Sequence, residues 1–300
     1  MKLNKPVIFL GIGRCGTTII SEIIFQHPDL AWPSIYQNKF PGTPWINRLR
    51  PLLDNRFWSL QGQKQQIDKI PFYKNYVFRP SEANDFWQHI TGPSIDFTFN
   101  FLLKDRASSF DKQRIRNFFE RLVRYQKRKR LSFKITGPSR IGYLKSIFPD
   151  AVFIEITREP FANIRSLLKV PYWINKGSHQ LFWEGAYTAD EQKLALKWRN
   201  KPALLTALQY AKVREKTLEE VQLHKAEFYS FAYENFIKDP KKIITQILSV
   251  TGLESSTLTD NYLKSLKIHE RNVNAYDFFD KEEQPILNEI LRNIMGVSQY

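Results

Sequence analysis

The 300-residue sequence predicts an α/β fold in which a central, mostly parallel sheet is flanked by helices. Two observations carry this prediction. Short apolar runs, VIFLG at residues 7–11 and AVFIEITR at residues 151–158, have the length and composition of buried strands. Each run is followed by a segment whose apolar residues recur at helical spacing. Strands that alternate with helices in this way are typical of a parallel sheet covered on both faces.

The first predicted strand leads through a glycine-containing loop into a helix after Gly16. Ile20, Ile23 and Ile24 recur there at helical spacing. The HPD sequence at residues 27–29 should end this helix, because the residue before a proline avoids helical geometry.

Three further strand–helix units are predicted later in the chain: SFKITG before RIGYLKSIF, AVFIEITR before EPFANIRSLL, and EFYSFAYE before DPKKIITQILSVTG. The last helix carries the clearest end signals. Asp239 is its expected N-cap, Pro240 stands at the first helical position, and Gly252 follows its end.

Two regions break this alternation of strands and helices. Residues 32–130 are rich in Trp, Phe, Pro and Asn without clear periodicity, and residues 171–225 read as mainly helical with an interruption at Pro202. There is no internal repeat and no low-complexity linker. We therefore expect one α/β domain over residues 1–300, with these two regions as elaborations of it.

Composition narrows the class of protein. The chain is 42% hydrophobic and 14% aromatic, enough for a substantial core and against global disorder. Its net charge of +15 suggests an anionic partner: nucleic acid, acidic lipid or a phosphorylated small molecule. Cys15 is the single cysteine, so no disulfide can form within the chain.

The sequence carries no strong targeting signal. The apolar run in MKLNKPVIFL is too short for a signal peptide, and no stretch of 18 apolar residues suggests a membrane span. We therefore expect a cytoplasmic protein.

The first functional motif is GIGRCGTT, from Gly11 to Thr18, between the first strand and the first helix. Glycines allow the backbone to approach a ligand closely, and the N–H groups at a helix start favour an anion. A Walker A loop would need a lysine where Thr17 stands, and a cysteine phosphatase loop would need an arginine where Ser21 stands. The literal G-x-G-x-x-G pattern lacks the acidic residue that holds a ribose at the end of the next strand.

The second motif is TREPFANIRS, in which Arg158 ends a predicted strand and Ser166 follows eight residues later in a helix. An arginine at the carboxyl end of a parallel strand can project into the ligand crevice of such a sheet. It can also bind a phosphate group through two parallel hydrogen bonds.

Together, GIGRCGTT and TREPFANIRS resemble the two nucleotide motifs of sulfotransferases that use 3′-phosphoadenosine 5′-phosphosulfate (PAPS). The resemblance covers about half of the chain and is closest to a bacterial branch of the family. It implies a P-loop-like sulfotransferase fold and transfer of a sulfuryl group from PAPS to a hydroxyl or amine, without a metal. By this resemblance the cofactor contacts are Arg14, Cys15, Gly16, Thr17, Thr18, Arg158, Ser166 and, in the basic segment KIHERNVNAY, Arg271.

The reaction also needs a base for the acceptor proton, usually His or Glu in this family. Glu82 is the first candidate, because RPSEANDFWQH resembles a segment of the bacterial branch and its apolar neighbours would raise a carboxylate's pKa. The alternative reading is a carboxylate that stabilises a helix start. His89, Asp96 and His179 are the further candidates. By the same resemblance Arg14 is catalytic, since it would meet the charge of the leaving group.

Two other functions stay open at this point. A P-loop nucleotide kinase or NTPase would need the absent lysine and an aspartate for magnesium at a strand end. A non-enzymatic nucleic-acid-binding protein has only the positive charge in its favour, including the basic stretch YQKRKRLSFK. We expect neither a nucleic-acid partner nor a metal. The acceptor stays unidentified: carbohydrate, lipid headgroup, peptide tyrosine and small alcohol are all compatible with the sequence.

Overall fold

The computed structural model describes residues 3–55, 58–59, 78–268 and 274–295, and in them a five-stranded parallel sheet forms the centre. Its strands stand in the order β2-β5-β1-β6-β7. A separate antiparallel pair consists of β3 and β4. The strands are β1 (Val7–Gly11), β2 (Leu30–Ala31), β3 (Asp54–Asn55), β4 (Trp58–Ser59), β5 (Arg130–Thr136), β6 (Val152–Thr157) and β7 (Glu227–Ala232).

Helices connect the parallel strands and cover the sheet. The described α-helices are α1 (Thr17–Ile24), α2 (Ile35–Lys39), α3 (Leu49–Leu53), α4 (Asn84–Thr91), α5 (Ser109–Tyr125), α6 (Ile141–Ile147), α7 (Pro160–Leu167), α8 (Pro171–Asn175), α9 (Ala189–Lys197), α10 (Pro202–Leu223), α11 (Tyr233–Lys238), α12 (Pro240–Thr251), α13 (Thr257–Ser265) and α14 (Gln284–Met295). Short 3-10 helices span Pro44–Arg48 and Tyr276–Phe278.

Strand β1 lies in the middle of the sheet and is buried on both faces, as its continuous apolar sequence predicts. Phe9 belongs to a core cluster with Ile20 of α1 and Ile244 of α12. Leu10, one residue on, belongs to the cluster that contains Phe119 of α5 and Leu144 of α6. This alternation of side chains places helices on both faces of the sheet.

The register of the strands brings their carboxyl ends together. Gly11 of β1 is the register partner of Thr136 of β5, and Leu10 is the partner of Glu155 of β6. The loops that leave β1, β5 and β6 therefore begin at one edge of the sheet. In an open α/β sheet this edge is where ligands bind.

The predicted ends of α12 are confirmed, whereas α1 already ends at Ile24, before the HPD sequence. Asp239 caps α12 by accepting from the backbone N–H of Lys242, Pro240 is its first residue, and Gly252 adopts a left-handed backbone at its end. In α7, the Glu159 carboxylate accepts from two backbone N–H groups of the first turn. That helix therefore starts directly after Arg158, which fixes the arginine at the edge of the sheet.

The elaboration at residues 171–225 builds a third core cluster beside the sheet. Three tryptophans, Trp173, Trp183 and Trp198, lie in it with residues of α7, α10 and α14. A buried ion pair between Arg214 of α10 and Glu155 of β6 ties this layer to the sheet. None of the helices in the described ranges is long and apolar enough to cross a membrane.

Candidate functional site

A cavity of about 890 Å³ opens at the carboxyl edge of the parallel strands. The loop after β1, the start of α1 and the ends of β5 and β6 contribute to it, as do α7 and the segments around residues 82 and 183. Four arginines and two lysines line it: Arg14, Arg140, Arg158, Arg165, Lys169 and Lys267.

The loop after β1 has the geometry that its glycines predict. Gly16 has a φ of 96°, and a Cβ at this position would lie 2.3 Å from the ring of Tyr233. Any other residue here would clash and would also bear a left-handed backbone. Arg14 has a φ of 72°. A non-glycine residue in this region is strained, and such strain concentrates at functional sites.

The two sequence motifs meet in this cavity. Arg14 Nε donates to Ser166 Oγ at 3.2 Å, which joins the first motif to the second across 152 residues of chain. Arg158 Nη1 donates to the backbone oxygen of Arg14 at 2.9 Å, and the Arg158 backbone oxygen accepts from the Tyr210 hydroxyl at 3.1 Å. Burial lowers the pKa of Arg158. The arginines are therefore held by the protein before any ligand enters.

Glu82 lies in the same cavity and contacts two side chains of β5. Its Oε2 accepts from the Thr136 hydroxyl at 2.6 Å, and its Oε1 lies 3.3 Å from Lys134 Nζ. Lys134 also donates to the Thr18 hydroxyl at 2.7 Å, which connects Glu82 to the loop region of the first motif. Glu82 precedes α4, whose N-cap is Ala83, so it does not cap that helix. Its direct partners are polar, unlike the apolar environment that the sequence suggested.

The other candidate bases lie elsewhere in the described structure. His89 lines a separate cavity of about 310 Å³ with Arg114 and Arg121. The Asp96 carboxylate accepts from backbone N–H groups two and three residues on, as in a turn. His179 Nδ1 lies 3.1 Å from the backbone oxygen of Arg199. None of the three candidates lines the large cavity.

Two of the predicted cofactor contacts need separate comment. Cys15 is buried behind the loop, its Sγ lies 2.7 Å from Thr17 Oγ1, and burial raises the pKa of its thiol to about 11. It packs inside the protein and does not line the cavity. Arg271 lies outside the described residues.

Sequence reasoning missed Lys134, which contacts Glu82, and several residues that line the cavity. Lys134 carried a signal, since a lysine within the apolar strand SFKITG must find buried partners. Lys169, Lys267 and the aromatic residues of the 171–225 region gave no such signal, because their place depends on how the loops pack. Among the described residues, no group of three or more His, Cys, Asp or Glu side chains could hold a metal ion.

The fold and the cavity define a P-loop-like α/β protein with a cationic ligand site. The sequence profile of the sulfotransferase family matches residues 6–257. The chain therefore belongs to the sulfotransferase family, and sulfuryl transfer is its class of activity.

Solved structures agree with this fold. The chain is similar to sulfotransferase STF9 from Mycobacterium avium, with 16% identity and a TM-score of 0.61 over 100% of this chain and 78% of that one. It is also similar to sulfotransferase STF1 from Mycobacterium tuberculosis, with 14% identity and a TM-score of 0.55 over 97% and 77% of the two chains. No curated protein matches the chain significantly.

Proposed function

We propose that the protein transfers a sulfuryl group from PAPS to a hydroxyl or amine of an acceptor. The observation that carries this proposal is the direct connection between two cationic motifs in one cavity, through Arg158, Arg14 and Ser166. PAPS has a phosphosulfate at one end and a 3′-phosphate beside it on the ribose, so it needs two such anion sites close together. A kinase that binds ATP would need a loop lysine where Thr17 stands.

The side chains present fit this donor. The start of α1 offers backbone N–H groups without partners inside the helix, and Thr17 and Thr18 add hydroxyl groups beside them. Because Gly16 has no side chain, the turn keeps the space that a Cβ would occupy. We assign Arg14 and this turn to the phosphosulfate end, and Arg158 with Ser166 to the 3′-phosphate. Arg165, Lys169 and Lys267 add positive charge to the cavity.

PAPS, when bound, supplies an activated sulfuryl group on a phosphate leaving group. The acceptor oxygen or nitrogen forms a bond to sulfur, the bond from sulfur to the bridging oxygen breaks, and the electron pair stays on the 5′-phosphate. Glu82 takes the proton of the acceptor as general base. Arg14 and the loop N–H groups stabilise the charge that grows on the leaving oxygen.

The environment of Glu82 suits this task. Each carboxylate oxygen has one protein partner, Lys134 for Oε1 and Thr136 for Oε2, and each keeps a further lone pair for the acceptor proton. Lys134 is a positioning residue, because it contacts Glu82 and Thr18 together and so fixes the base relative to the loop.

The donor assignment is tested by binding, without any acceptor. We expect Arg158→Ala to weaken the binding of adenosine 3′,5′-bisphosphate by about 1.5–3 kcal/mol, a roughly 10- to 150-fold rise in the dissociation constant, because a charge-assisted contact is lost. Adenosine 5′-phosphate, which lacks the 3′-phosphate, should change far less. Both affinities can be measured by isothermal titration calorimetry.

The matched control is Arg121→Ala, which removes an exposed arginine of α5 that lies outside the large cavity. This variant should bind both nucleotides as the wild type does. Equal weakening of the two nucleotides by Arg158→Ala would remove this residue from the 3′-phosphate site. Failure of the wild type to prefer the bisphosphate would contradict the donor itself.

A further inference from the structure

We propose that the acceptor is an uncharged alcohol with an aromatic or apolar ring, bound against an aromatic wall beside Glu82. This inference rests on the proposed function and identifies the substrate class of the same site. It follows from the kinds of side chain that the two elaborations contribute to the lining of the cavity. The aromatic wall consists of Phe97, Tyr172, Trp173, Phe182 and Trp183.

The cationic and the aromatic side chains that line the cavity come from different regions of the sequence. All six of its arginines and lysines come from outside the elaborations at residues 32–130 and 171–225. What those elaborations contribute to the lining, among the described residues, is the aromatic wall together with Glu82, Asn84 and Thr98. Among the described residues, the elaborations therefore contribute five aromatic side chains and one carboxylate to the cavity, and no cation.

The aromatic wall extends from the loop of the first motif to the base. At one end, a Cβ on Gly13 would lie 3.3 Å from the Tyr172 hydroxyl. At the other end, the indole of Trp183 covers Gly137, where a Cβ would lie 2.7 Å from the ring. Gly137 directly follows Thr136, which donates to Glu82. The pKa of Tyr172 is raised by burial and then by the charge of Glu82, while the charge of Arg14 lowers it, so this ring lies between the loop of the first motif and the base.

Four rings of the wall support one another, while Phe97 packs against Trp87 and Tyr143. Phe182 packs against Tyr172, Trp173 and Trp183, with centroids 6.3, 5.6 and 5.4 Å away. Trp173 is held from behind by a hydrogen bond from its indole N–H to Thr206. Tyr172 is 51% exposed and Phe182 is partly exposed, so these two rings offer the surface for a ligand, while the other three rings of the wall are buried. A preformed ring surface of this kind stacks on a planar or apolar ligand at little entropic cost.

Arg140 also lines this end of the cavity, and backbone oxygens hold its guanidinium in place. It is fully buried and donates to the backbone oxygens of Pro138, Thr98 and Asn100. It therefore ties two loops together. An acceptor with carboxylate, phosphate or sulfate groups would bring a further negative charge to the Glu82 carboxylate. A sugar would need several hydrogen-bond partners, and this wall offers few.

The reaction with such an acceptor is the step given above. The alcohol oxygen bonds to sulfur, its proton goes to Glu82, and the sulfur–oxygen bond to the 5′-phosphate breaks with its electron pair on the phosphate. The product is a sulfate monoester of the ring-bearing alcohol and adenosine 3′,5′-bisphosphate.

The test uses radiolabelled PAPS with three acceptor probes: 4-methylumbelliferone as the ring-bearing alcohol, methyl glucoside as a neutral sugar and glucuronic acid as an anionic one. We expect saturable label transfer to 4-methylumbelliferone, and transfer at least about tenfold lower to either sugar, a difference of about 1.4 kcal/mol. Preferential sulfation of a sugar would overturn the inference. So would the absence of transfer to 4-methylumbelliferone in a protein that binds adenosine 3′,5′-bisphosphate.

Variants locate the binding surface. Tyr172→Ala should raise the KM for 4-methylumbelliferone by about tenfold, whereas Tyr172→Phe should keep it within about threefold, because the ring supplies the contact. Phe110→Ala removes an aromatic ring of α5 that is 73% exposed and lies outside the cavity, so it should change nothing. An unchanged KM in Tyr172→Ala would refute the wall as the acceptor surface.

Binding of adenosine 3′,5′-bisphosphate separates the two proposals. If every variant binds it normally, the protein is folded and the donor assignment stands, whatever the acceptor probes show. If the wild type does not bind it, the proposed function fails and the acceptor inference fails with it.

Discussion

The pair of Lys134 and Glu82 gives the sharpest prediction from the structure, through their coupling in a double-mutant cycle. The Lys134 side chain is 8% exposed and the Glu82 side chain is 29% exposed, with Nζ and Oε1 3.3 Å apart. At an effective dielectric constant of 20, two unit charges at this distance attract by about 5 kcal/mol. Desolvation of both groups offsets much of that attraction. We therefore expect a coupling free energy of about 1–3 kcal/mol.

The single variants should differ in their cost. Glu82→Gln removes the negative charge beside the buried ammonium of Lys134, although the amide oxygen of Gln and the Thr18 hydroxyl can still accept from it, so the free energy of unfolding should fall. Lys134→Met leaves Glu82 partly exposed, so its carboxylate can be hydrated and the loss should be smaller. The double variant should be less destabilised than the sum of the two, because neither charge is left alone.

The assay is guanidinium denaturation of the wild type, the two single variants and the double variant at neutral pH. Lys193 and Asp190 form the control pair, with 3.0 Å between Nζ and Oδ1 but 76% and 86% exposure. Their coupling should stay below about 0.5 kcal/mol. Additivity within about 0.5 kcal/mol for Lys134 and Glu82 would refute the argument that they form a coupled pair at the site.

Three further predictions concern turnover and pH. Arg14→Ala should lower turnover by about 100-fold and should lower the affinity for adenosine 3′,5′-bisphosphate less, because the charge that Arg14 meets is largest in the transition state. Steady-state kinetics measure the first loss and calorimetry the second, and equal losses would contradict this prediction. Glu82→Gln should lower turnover by roughly 100- to 10,000-fold at nearly unchanged PAPS affinity, and near-normal turnover would exclude it as the base. Burial lowers the pKa of His27, whose Nε2 donates to the Glu254 backbone oxygen, so the unfolded chain binds its proton first as the pH falls. Stability should therefore drop below about pH 6.5, and melting curves should show a smaller drop in His27→Gln.

The central part of the fold could be predicted from sequence because its signals are local. The strands around residues 7–11 and 152–157 are continuous apolar runs, and α12 carries its own cap, proline and terminal glycine. Helix α5 was missed, although Ile115 and Phe119 follow helical spacing. Its neighbours are aromatic-rich loops whose burial depends on contacts with distant segments, so the region as a whole showed no period.

The residues of the candidate site likewise fall into those that local sequence patterns predict and those that depend on packing between distant segments. That Arg14, Arg158 and Ser166 lie together could be predicted, because each belongs to a strand–loop–helix pattern and β1 and β6 are adjacent in the sheet. Their contacts with a nucleotide stay a prediction. The contact of Glu82 with Thr136 joins residues 54 apart in sequence, and nothing in the 32–130 region predicts the path that makes it. The aromatic wall is likewise a product of packing between two elaborations.

The contact between Arg158 and the backbone of Arg14 has a consequence for the stability of the protein when nucleotide is bound. The Arg158 guanidinium donates to the backbone oxygen of Arg14, and repulsion from the charge of Arg14 adds to burial in lowering the pKa of Arg158. A bound anion relieves this repulsion only in the folded chain, so nucleotide binding and folding are thermodynamically linked. At a nucleotide concentration 100 times the dissociation constant, the gain in stability is about 2.7 kcal/mol. The concentration of donor nucleotide would thus determine the folded fraction of a marginally stable sequence variant as well as its turnover rate.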